Sequence, residues 1–463
     1  MEVKFDKRLE ERLRARATEA RPSTGAAQHS AAAISAPPLA GSALALVLCG
    51  GRGSRLGPLT DRRAKPAVSF GGSFRIVDFT LANCVNSGLR RIAVLTQYKA
   101  QSLIRHIAHS WALNRRFGEF VEVVPAQQRL GDSWYSGTAD AVYQNIELIE
   151  RHQPDHVLVL GGDHVYKMDY TKLLAEHAAR RADLTVACVE VACEDASEFG
   201  VMQVDAQERV LGFQEKPERP IPMPGSRDRT LASMGIYVFD SATLIRELVR
   251  DATKDSSHDF GHDVVPHMLR SGARVFAHSF NRSWAGPPGS TPYWRDVGTL
   301  DSYWQANIEL TQRSPGLDMF DPAWPIPADA DHAMPSRFLL DDKGHCAIVK
   351  ASLTGSGCVI GAADIQRCVL ASNVSIGHGA GIEESVLLSG VEVAAGVRLR
   401  RVIVDKHCRL PPGLVAGFDA AQDSRRFHVS PRGITLITPE MLGQQGPLTG
   451  RPETGLAQSP HRA

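Results

Sequence analysis

Apolar side chains recur every six residues in the C-terminal part of the chain, and this pattern is compatible with few folds. Such a period predicts a parallel β-helix, in which each face receives one short strand per repeat. A β-sandwich with accidental spacing is the alternative. The recurring positions are Leu370, Ile376, Ile382 and Leu388, then, after a slip of one residue, Val393 and Leu399, and then Val404, Leu410 and Ala416.

The segment before this repeat alternates short β-rich apolar runs with helical patterns. This alternation predicts an α/β fold with a mostly parallel, mixed sheet covered by helices, and it places ligands at the carboxyl ends of the strands. The predicted strands are Leu44–Leu48, Ile92–Leu95, Val157–Leu160, Leu184–Val189 and Ile236–Phe239.

At 463 residues the chain is longer than one hydrophobic core usually serves, so we expect two folded domains with extensions. A run of prolines beginning at Pro315 marks the connector between them. The predicted segments are a partly disordered N-terminal extension at 1–42, a catalytic domain at 43–314, a connector at 315–345, a β-helix domain at 346–442 and a disordered tail at 443–463.

The charges nearly balance, with 52 basic and 51 acidic residues, so no overall field attracts nucleic acid or an anionic membrane. The eight cysteines show no CxxC pair, which predicts buried free thiols in a reducing compartment. No apolar run approaches the ~18 residues of a membrane span, and the N-terminal residues do not resemble a targeting segment. A cytoplasmic enzyme is expected.

A glycine-rich loop follows the first predicted strand. Its glycines let backbone N–H groups approach a polyphosphate, and its cations offset the phosphate charge. The loop is not a Walker A motif, and Leu56 stands where a dinucleotide fingerprint needs its third glycine. The residues concerned are Gly50, Gly51, Arg52, Gly53, Arg55 and Lys65.

Two acidic residues are candidate metal ligands. Asp163 follows the strand Val157–Leu160, although a helix N-cap is an alternative role, and Asp296 lies in a later motif. Carboxylates from two strand ends could clamp one divalent cation beside the phosphates. Glu215 and Lys216 form a further pair suited to a sugar phosphate, or alternatively an exposed ion pair.

From about Ala43 to Met441 the chain resembles the bacterial ADP-glucose pyrophosphorylases, or glucose-1-phosphate adenylyltransferases, within the sugar-nucleotide pyrophosphorylase family. The resemblance implies a dinucleotide-binding-like domain followed by a left-handed β-helix. It also implies the reaction of ATP with α-D-glucose 1-phosphate to ADP-glucose and pyrophosphate, with Mg²⁺, in a homotetramer of the glycogen pathway. The motifs that carry it are Gly50–Lys65, Pro125–Arg129, Trp134–Ala141, Ser256–Gly261 and Tyr293–Thr299.

The resemblance also assigns roles to individual residues. Catalysis falls to Arg55, Lys65, Asp163, Lys216 and Asp296, with Asp163 and Asp296 holding the metal. Positions for ATP are Gly50, Gly51, Arg52, Gly53, Gln127 and Gly137, and positions for glucose 1-phosphate are Tyr135, Gly200, Glu215, Lys216 and Ser233. Anionic metabolite effectors would meet Arg62, Arg63, Ser69, Arg75, Arg151 and Lys406.

The effector positions depart from the enterobacterial pattern. Ser69 replaces a histidine, and Pro439 and Gly443 replace two arginines, so activation by fructose 1,6-bisphosphate is in doubt. Two alternatives for the activity remain: a pyrophosphorylase that makes UDP- or dTDP-glucose, and a non-catalytic regulatory subunit of the same fold. Since a sugar phosphate is already an anionic nucleophile, we expect no catalytic triad and no general base.

Overall fold

The computed structural model describes residues 39–113, 118–127, 134–327 and 334–444. Nearly all of the predicted N-terminal extension and tail lies outside the described residues, as do Gln128 and Arg129 of one motif. Within the described ranges, no helix is both long enough and apolar enough to cross a membrane.

The part that the sequence predicts to be the catalytic domain, here called the catalytic part, is built on a mixed sheet that has nine strands among the described residues. Its strand order is β10-β9-β11-β6-β1-β4-β5, with β8 joining β11 to β12. The strands of this part are β1 Leu44–Cys49, β2 Ser69–Phe70, β3 Phe74–Arg75, β4 Arg91–Thr96, β5 Phe120–Pro125, β6 His156–Gly161, β7 His164–Tyr166, β8 Leu184–Ala192, β9 Gly200–Val204, β10 Val210–Glu215, β11 Arg229–Asp240, β12 Val275–Ser279 and β13 Trp294–Asp296.

Each of the five predicted strands lies within an observed one. Strands β6, β1, β4 and β5 run parallel, and the apolar runs of β1, β4 and β6 are buried because helices cover both faces. Strand β11 is antiparallel to β6, β8 and β9, so the sheet changes direction beside β6. The carboxyl ends of β1, β4 and β6 therefore meet at one edge.

Short helices cover the two faces of the sheet. Two of them begin at an aspartate whose carboxylate accepts a backbone N–H: Asp169 from Thr171, and Asp240 from Thr243. The helices are α1 Leu39–Ser42, α2 Ile76–Asn86, α3 Gln101–Ser110, α4 Thr138–Tyr143, α5 Ile146–His152, α6 Tyr170–Ala179, α7 Ser241–Asp251, α8 Val265–Arg270, α9 Phe280–Ser283 and α10 Leu300–Glu309, with 3-10 helices at Ser54–Thr60, Lys65–Ala67 and Cys193–Glu198 and a π-helical turn at Phe260–Val264.

The C-terminal part is a parallel β-helix whose strands form three sheets, one per face. A small helix, α11 Ala420–Asp423, and the 3-10 helix Glu440–Leu442 follow its coils. The strands are β14 Arg337–Phe338, β15 Ile348–Lys350, β16 Leu353–Thr354, β17 Val359–Ile360, β18 Asp364–Gln366, β19 Val369–Leu370, β20 Ser375–Ile376, β21 Gly381–Glu383, β22 Val386–Leu387, β23 Glu392–Val393, β24 Arg398–Arg400, β25 Val402–Val404, β26 Arg409–Leu410, β27 Val415–Ala416, β28 His428–Val429 and β29 Thr435–Ile437.

The recurrence in this part is six, six and five residues per coil. Leu370 pairs with Leu387, and Leu387 pairs with Val404, which makes successive partners on this face 17 residues apart. The slip therefore precedes residue 388, and the prediction that placed Leu388 among the stacked positions was wrong. Leu387 lies inside the coil, whereas Leu388 is buried outside it, in the core shared with the catalytic part.

The connector and the β-helix both pack on the catalytic part. Met319 of the connector and Ile403 of β25 belong to the same buried cluster as strand β1. The Trp304 indole N–H donates to the carbonyl of Glu384 at 2.7 Å. Strand β14 lies inside the predicted connector range and already pairs with β17. One continuous core thus joins the two parts.

The cysteines only partly follow the expectation of buried thiols. All eight are free, and six of them are buried. Cys346 is exposed and Cys193 is half-buried, so burial was wrongly predicted for these two.

Candidate active site

A cavity of about 730 Å³ opens at the edge where β1, β4 and β6 end. The glycine-rich loop forms one wall of it. Gly53 adopts φ 67°, and a Cβ atom there would lie 2.8 Å from the Cβ of Lys65, so the loop requires glycine at this position. Gly50, Gly51 and Arg52 line the same wall.

Lys65 joins the two predicted metal ligands. Its Nζ lies 3.1 Å from Asp163 Oδ2 and 2.6 Å from Asp296 Oδ1. Its side chain is 6% exposed, while those of Asp163 and Asp296 are 38% and 17% exposed. The loop, β6 and β13 thus bring together three charged groups that lie up to 231 positions apart in sequence.

This pairing decides the protonation of the buried groups. Burial alone would raise the pKa of the Asp163 carboxyl, but the Lys65 ammonium and His164 outweigh it and hold that pKa well below its usual range. Burial would likewise lower the pKa of Lys65, and the two carboxylates raise it instead. The site therefore carries an ionised Asp163 and a protonated Lys65 at neutral pH.

Arg55 extends the same network toward the mouth of the cavity. Its Nη2 lies 3.2 Å from Asp296 Oδ2, and its Nη1 lies 2.8 Å from Glu198 Oε2. Both Arg55 and Glu198 are more than half exposed. The guanidinium therefore bridges the glycine-rich loop and the segment that leads into β9.

The residues around Asp163 can hold a cation. Among the described residues, Asp163, His164 and Asp296 offer ligand atoms that all lie within 4.8 Å of one another. The Lys65 ammonium lies between the two carboxylates, which indicates that this place favours positive charge. Carboxylate oxygens are the ligands that hard divalent cations prefer, so the donor set fits such an ion.

The opposite wall carries the positions expected for the sugar phosphate. Gly200, Glu215, Lys216, Ser233 and Tyr135 all line the cavity. A Cβ atom at Gly200 would lie 2.5 Å from the Phe213 ring, so only glycine fits beside that ring. Lys216 adopts φ 45° and its Nζ lies 3.4 Å from Glu215 Oε1. A non-glycine residue in this conformation is strained, which is common at functional sites.

The segment from Tyr135 to Thr138 closes the cavity near β4. The hydroxyl of Tyr135 accepts a hydrogen bond from Asn145 at 2.8 Å, and Thr138 donates to Asp259 at 2.8 Å. A Cβ atom at Gly137 would lie 2.2 Å from the carbonyl oxygen of His258. Gln127 is described but is not among the residues that line this cavity.

Several lining residues were not predicted. Glu198 ends a 3-10 helix with no motif around it, and its position depends on how β9 crosses the sheet. Gln97 and Tyr98 follow β4 directly. The rule that ligands bind at the carboxyl ends of parallel strands could have found those two.

The predicted effector residues lie outside this cavity. Arg63 is buried and donates to both oxygens of Asp405, at 2.6 and 2.9 Å, across the boundary between the two parts. The backbone N–H of Lys406 donates to the same carboxylate at 2.7 Å. Arg62 pairs with Glu440 of the 3-10 helix that follows the β-helix coils.

The other three effector positions differ in their surroundings. Ser69 is buried on β2, and its carbonyl accepts from the hydroxyl of Tyr303 at 2.5 Å. Arg75 donates to the carbonyl of Ser102 at 2.8 Å. Arg151 lines a second cavity, of about 450 Å³, together with other residues from the edge of the sheet. Arg151 is therefore separate from the group around Asp405.

Comparison with known proteins gives two family matches. The family described as Nucleotidyl transferase matches residues 44–313, and the family described as GlmU-like, C-terminal hexapeptide, matches residues 334–437. The second match and the stacked parallel coils are consistent with a left-handed β-helix.

Curated relatives match over most of the chain. The glucose-1-phosphate adenylyltransferase of Nitrosomonas europaea is 54% identical over 404 residues, which are 87% of this chain and 93% of that protein. The enzyme of the same name from Dechloromonas aromatica is 51% identical over 410 residues, 88% of this chain and 93% of the relative. That of Nitrosospira multiformis is 52% identical over 406 residues, 87% and 95% of the two chains.

Proposed function

Because the chain belongs to the glucose-1-phosphate adenylyltransferase family of nucleotidyl transferases, we propose that it transfers the adenylyl group of ATP to α-D-glucose 1-phosphate. The products are ADP-glucose and pyrophosphate, and the reaction is the regulated step of bacterial glycogen synthesis. The observation that carries the proposal is the cavity in which Lys65 joins Asp163 and Asp296 beside a glycine-rich loop.

The glycine-rich wall takes the ATP triphosphate. Backbone N–H groups of the loop approach the phosphates, and Arg55 and Lys65 supply the charge that offsets them. Arg52 adds a further cation at the rim, where its guanidinium lies 5.7 Å from the centre of the Tyr98 ring. Gly137 lines the cavity on the ATP side. Gln127 does not line the cavity, so it would contact ATP only from outside this set of residues.

The facing wall takes glucose 1-phosphate. Lys216 binds the phosphate, and Glu215 and Ser233 accept or donate hydrogen bonds to the sugar hydroxyls. Gly200 leaves room for the ring, and the Tyr135 side chain, held through Asn145, closes one side. The two substrates then lie on opposite walls of one cavity.

The chemical step is a displacement at the α-phosphorus of ATP. A phosphate oxygen of glucose 1-phosphate forms the new P–O bond, and the bond from the α-phosphorus to the bridging oxygen of the β-phosphate breaks. The electron pair leaves with pyrophosphate. The nucleophile is already anionic near pH 7, so Arg55, Lys65 and Lys216 act by alignment and charge stabilisation rather than by proton transfer.

Asp163 and Asp296 are the residues that would hold Mg²⁺. The ion, when bound, supplies positive charge that offsets the phosphate charge. Asp163 needs no change of protonation to receive the ion, because its pKa is already held well below the usual range. Lys65 contacts both carboxylates, so its ammonium lies beside the place where the phosphates would meet the ion.

Anionic effectors are proposed to bind where the catalytic part meets the β-helix. Arg62, Ser69, Arg75 and Lys406 supply most of the polar groups, because the pair of Arg62 with Glu440 is half exposed whereas Arg63 is buried against Asp405. Arg151 would contact an anion at its own cavity. A titration of activity with fructose 1,6-bisphosphate, fructose 6-phosphate, pyruvate and AMP identifies the effector, and light scattering tests the proposed homotetramer.

The decisive experiment is an assay of pyrophosphate release with glucose 1-phosphate and either ATP, UTP or dTTP. We expect release with ATP at a rate at least tenfold above that with the other two. Release with UTP or dTTP instead would replace the proposed nucleotide. No release with any of the three, from a folded protein, would favour the regulatory subunit.

A further inference from the structure

Five charged side chains of the cavity form a continuous series of contacts that ends at Glu198. Along it, three carboxylates alternate with two cations: Glu198 contacts Arg55, Arg55 contacts Asp296, Asp296 contacts Lys65, and Lys65 contacts Asp163. Asp163 and Asp296 have a second use as ligands for a divalent cation. Glu198 has no such use, since it is not part of the metal-ligand group.

Glu198 holds Arg55 in a definite place. It ends the 3-10 helix Cys193–Glu198, two residues before Gly200 opens β9 on the sugar side of the cavity. The 2.8 Å contact with Arg55 Nη1 therefore crosses from the sugar side to the glycine-rich loop. Both side chains are more than half exposed, so water screens the pair and its contribution is small.

A polyphosphate entering the cavity competes with Glu198 for the same guanidinium. Nη1 donates to Glu198 and Nη2 donates to Asp296, so fewer of the guanidinium N–H groups remain for phosphate oxygens. A carboxylate at this point also repels the phosphates directly. Both effects weaken nucleotide binding relative to a cavity without the carboxylate.

From this geometry we propose that Glu198 is a positioning residue that sets the affinity for ATP by holding Arg55 until the triphosphate displaces it. The inference rests on the proposed function for its substrate. Glu198 touches neither substrate in this scheme and acts through Arg55. Because the pair of Glu198 with Arg55 is weak and exposed, a phosphate displaces Glu198 from the guanidinium at a small cost in free energy. Glu198 therefore orients Arg55 without preventing it from binding phosphate.

The test is Glu198→Gln, which keeps the size of the side chain and removes its charge. We expect the KM for ATP to fall roughly two- to fivefold. The kcat and the KM for glucose 1-phosphate should stay at their wild-type values. Added salt should narrow the difference, because exposed charges are screened. A KM for ATP that is unchanged or higher overturns the proposal.

A control and a double-mutant cycle separate the contact from a general effect of charge. Glu194→Gln removes one exposed charge from the same 3-10 helix at a position that does not line the cavity, and we expect ATP binding to remain at the wild-type level. An equal gain in both variants overturns the proposal. Calorimetric titration with ATP alone measures the effect of Glu198→Gln in two backgrounds. The substitution should tighten ATP binding when Arg55 is present and have no effect when Arg55→Ala is also made.

Persistence of the effect in the Arg55→Ala background contradicts the assignment, because Glu198 would then not act through Arg55. The pyrophosphate-release assay tests the proposed function separately from the role of Glu198. A wild type that releases no pyrophosphate from ATP and glucose 1-phosphate contradicts the proposed function, whereas an active wild type with an unaltered Glu198→Gln variant contradicts only this inference.

Discussion

The Asp296 carboxylate contacts two cations of the cavity, Arg55 and Lys65. Replacing it by asparagine keeps the shape but removes the charge that faces Lys65 at 2.6 Å and Arg55 at 3.2 Å. One of the two carboxylates that would hold the metal is lost as well. We expect Asp296→Asn to lower kcat about 10²- to 10³-fold in the pyrophosphate-release assay.

The matched control for this change is Asp342→Asn, at an exposed carboxylate that does not line the cavity. We expect this variant to keep the wild-type kcat, and both variants to keep the wild-type circular dichroism spectrum. An Asp296→Asn enzyme with unchanged kcat would remove Asp296 from the proposed metal site.

Individual residues of the cavity were predictable to different degrees. Lys65 and Asp163 lie in motifs next to the ends of predicted strands, and parallel strands bring their carboxyl ends to one edge. Glu198 could not be found in this way. Its contact with Arg55 arises because β11 reverses the sheet and brings β9 back toward the loop, which local sequence does not encode.

The glycine-rich loop depends on backbone geometry as much as on charge. Gly53→Ala would force a side chain into a left-handed conformation and bring its Cβ to 2.8 Å from the Cβ of Lys65. We expect a loss of about 1–2 kcal/mol in the free energy of unfolding and a fall in kcat/KM for ATP of at least tenfold. Denaturant unfolding and initial-rate kinetics measure the two effects.

Gly51→Ala is the control within the same loop, since nothing lies within 4 Å of the added methyl group and its φ is not positive. The unfolding free energy should stay near that of the wild type. A Gly53→Ala variant as stable and active as Gly51→Ala would show that the loop tolerates a side chain at position 53.

Helix α6 and strand β8 enclose a histidine that should make stability depend on pH. His177 is buried, its Nδ1 lies 2.9 Å from Thr185 Oγ1, and its ring lies against that of His156. Burial, followed by His156, lowers the pKa of His177 to about 4. Between about pH 6.5 and 4 the unfolded chain therefore binds a proton that the folded chain does not.

Stability should accordingly fall as the pH is lowered through this window, by up to about 3 kcal/mol from this group. We expect His177→Gln to flatten the dependence of the melting temperature on pH between 6.5 and 4. His428→Gln, at an exposed histidine, is the matched control. Parallel slopes for wild type and His177→Gln would contradict the assignment.

The apolar pattern of the β-helix predicts the repeat but does not determine its register. Residues 387 and 388 are both leucine, so the apolar pattern accepts either as the stacked position. The choice is made by the neighbouring coils, which align Leu387 with Leu370 and Val404, and by the catalytic part, which covers Leu388. The fold class was therefore predictable from the period, while the register was not.

The catalytic part and the β-helix share one buried apolar cluster, and a buried ion pair also joins them. Arg63 and Asp405 lie 342 positions apart in sequence, and their side chains are 11% and 5% exposed. Burial alone would lower the pKa of Arg63, but Asp405 outweighs that effect and raises it, so Arg63 stays protonated. Removing one partner leaves an uncompensated charge where water does not reach it.

Arg63→Met should therefore lower the free energy of unfolding by about 3–5 kcal/mol, whereas the double variant Arg63→Met with Asp405→Leu should recover most of the loss. Denaturant unfolding of the wild type, both single variants and the double variant measures the coupling. If the double variant loses the sum of the single losses, the two side chains do not interact. If the two side chains are coupled and the double variant still responds to the effector, Arg63 connects the two parts and does not bind the anion.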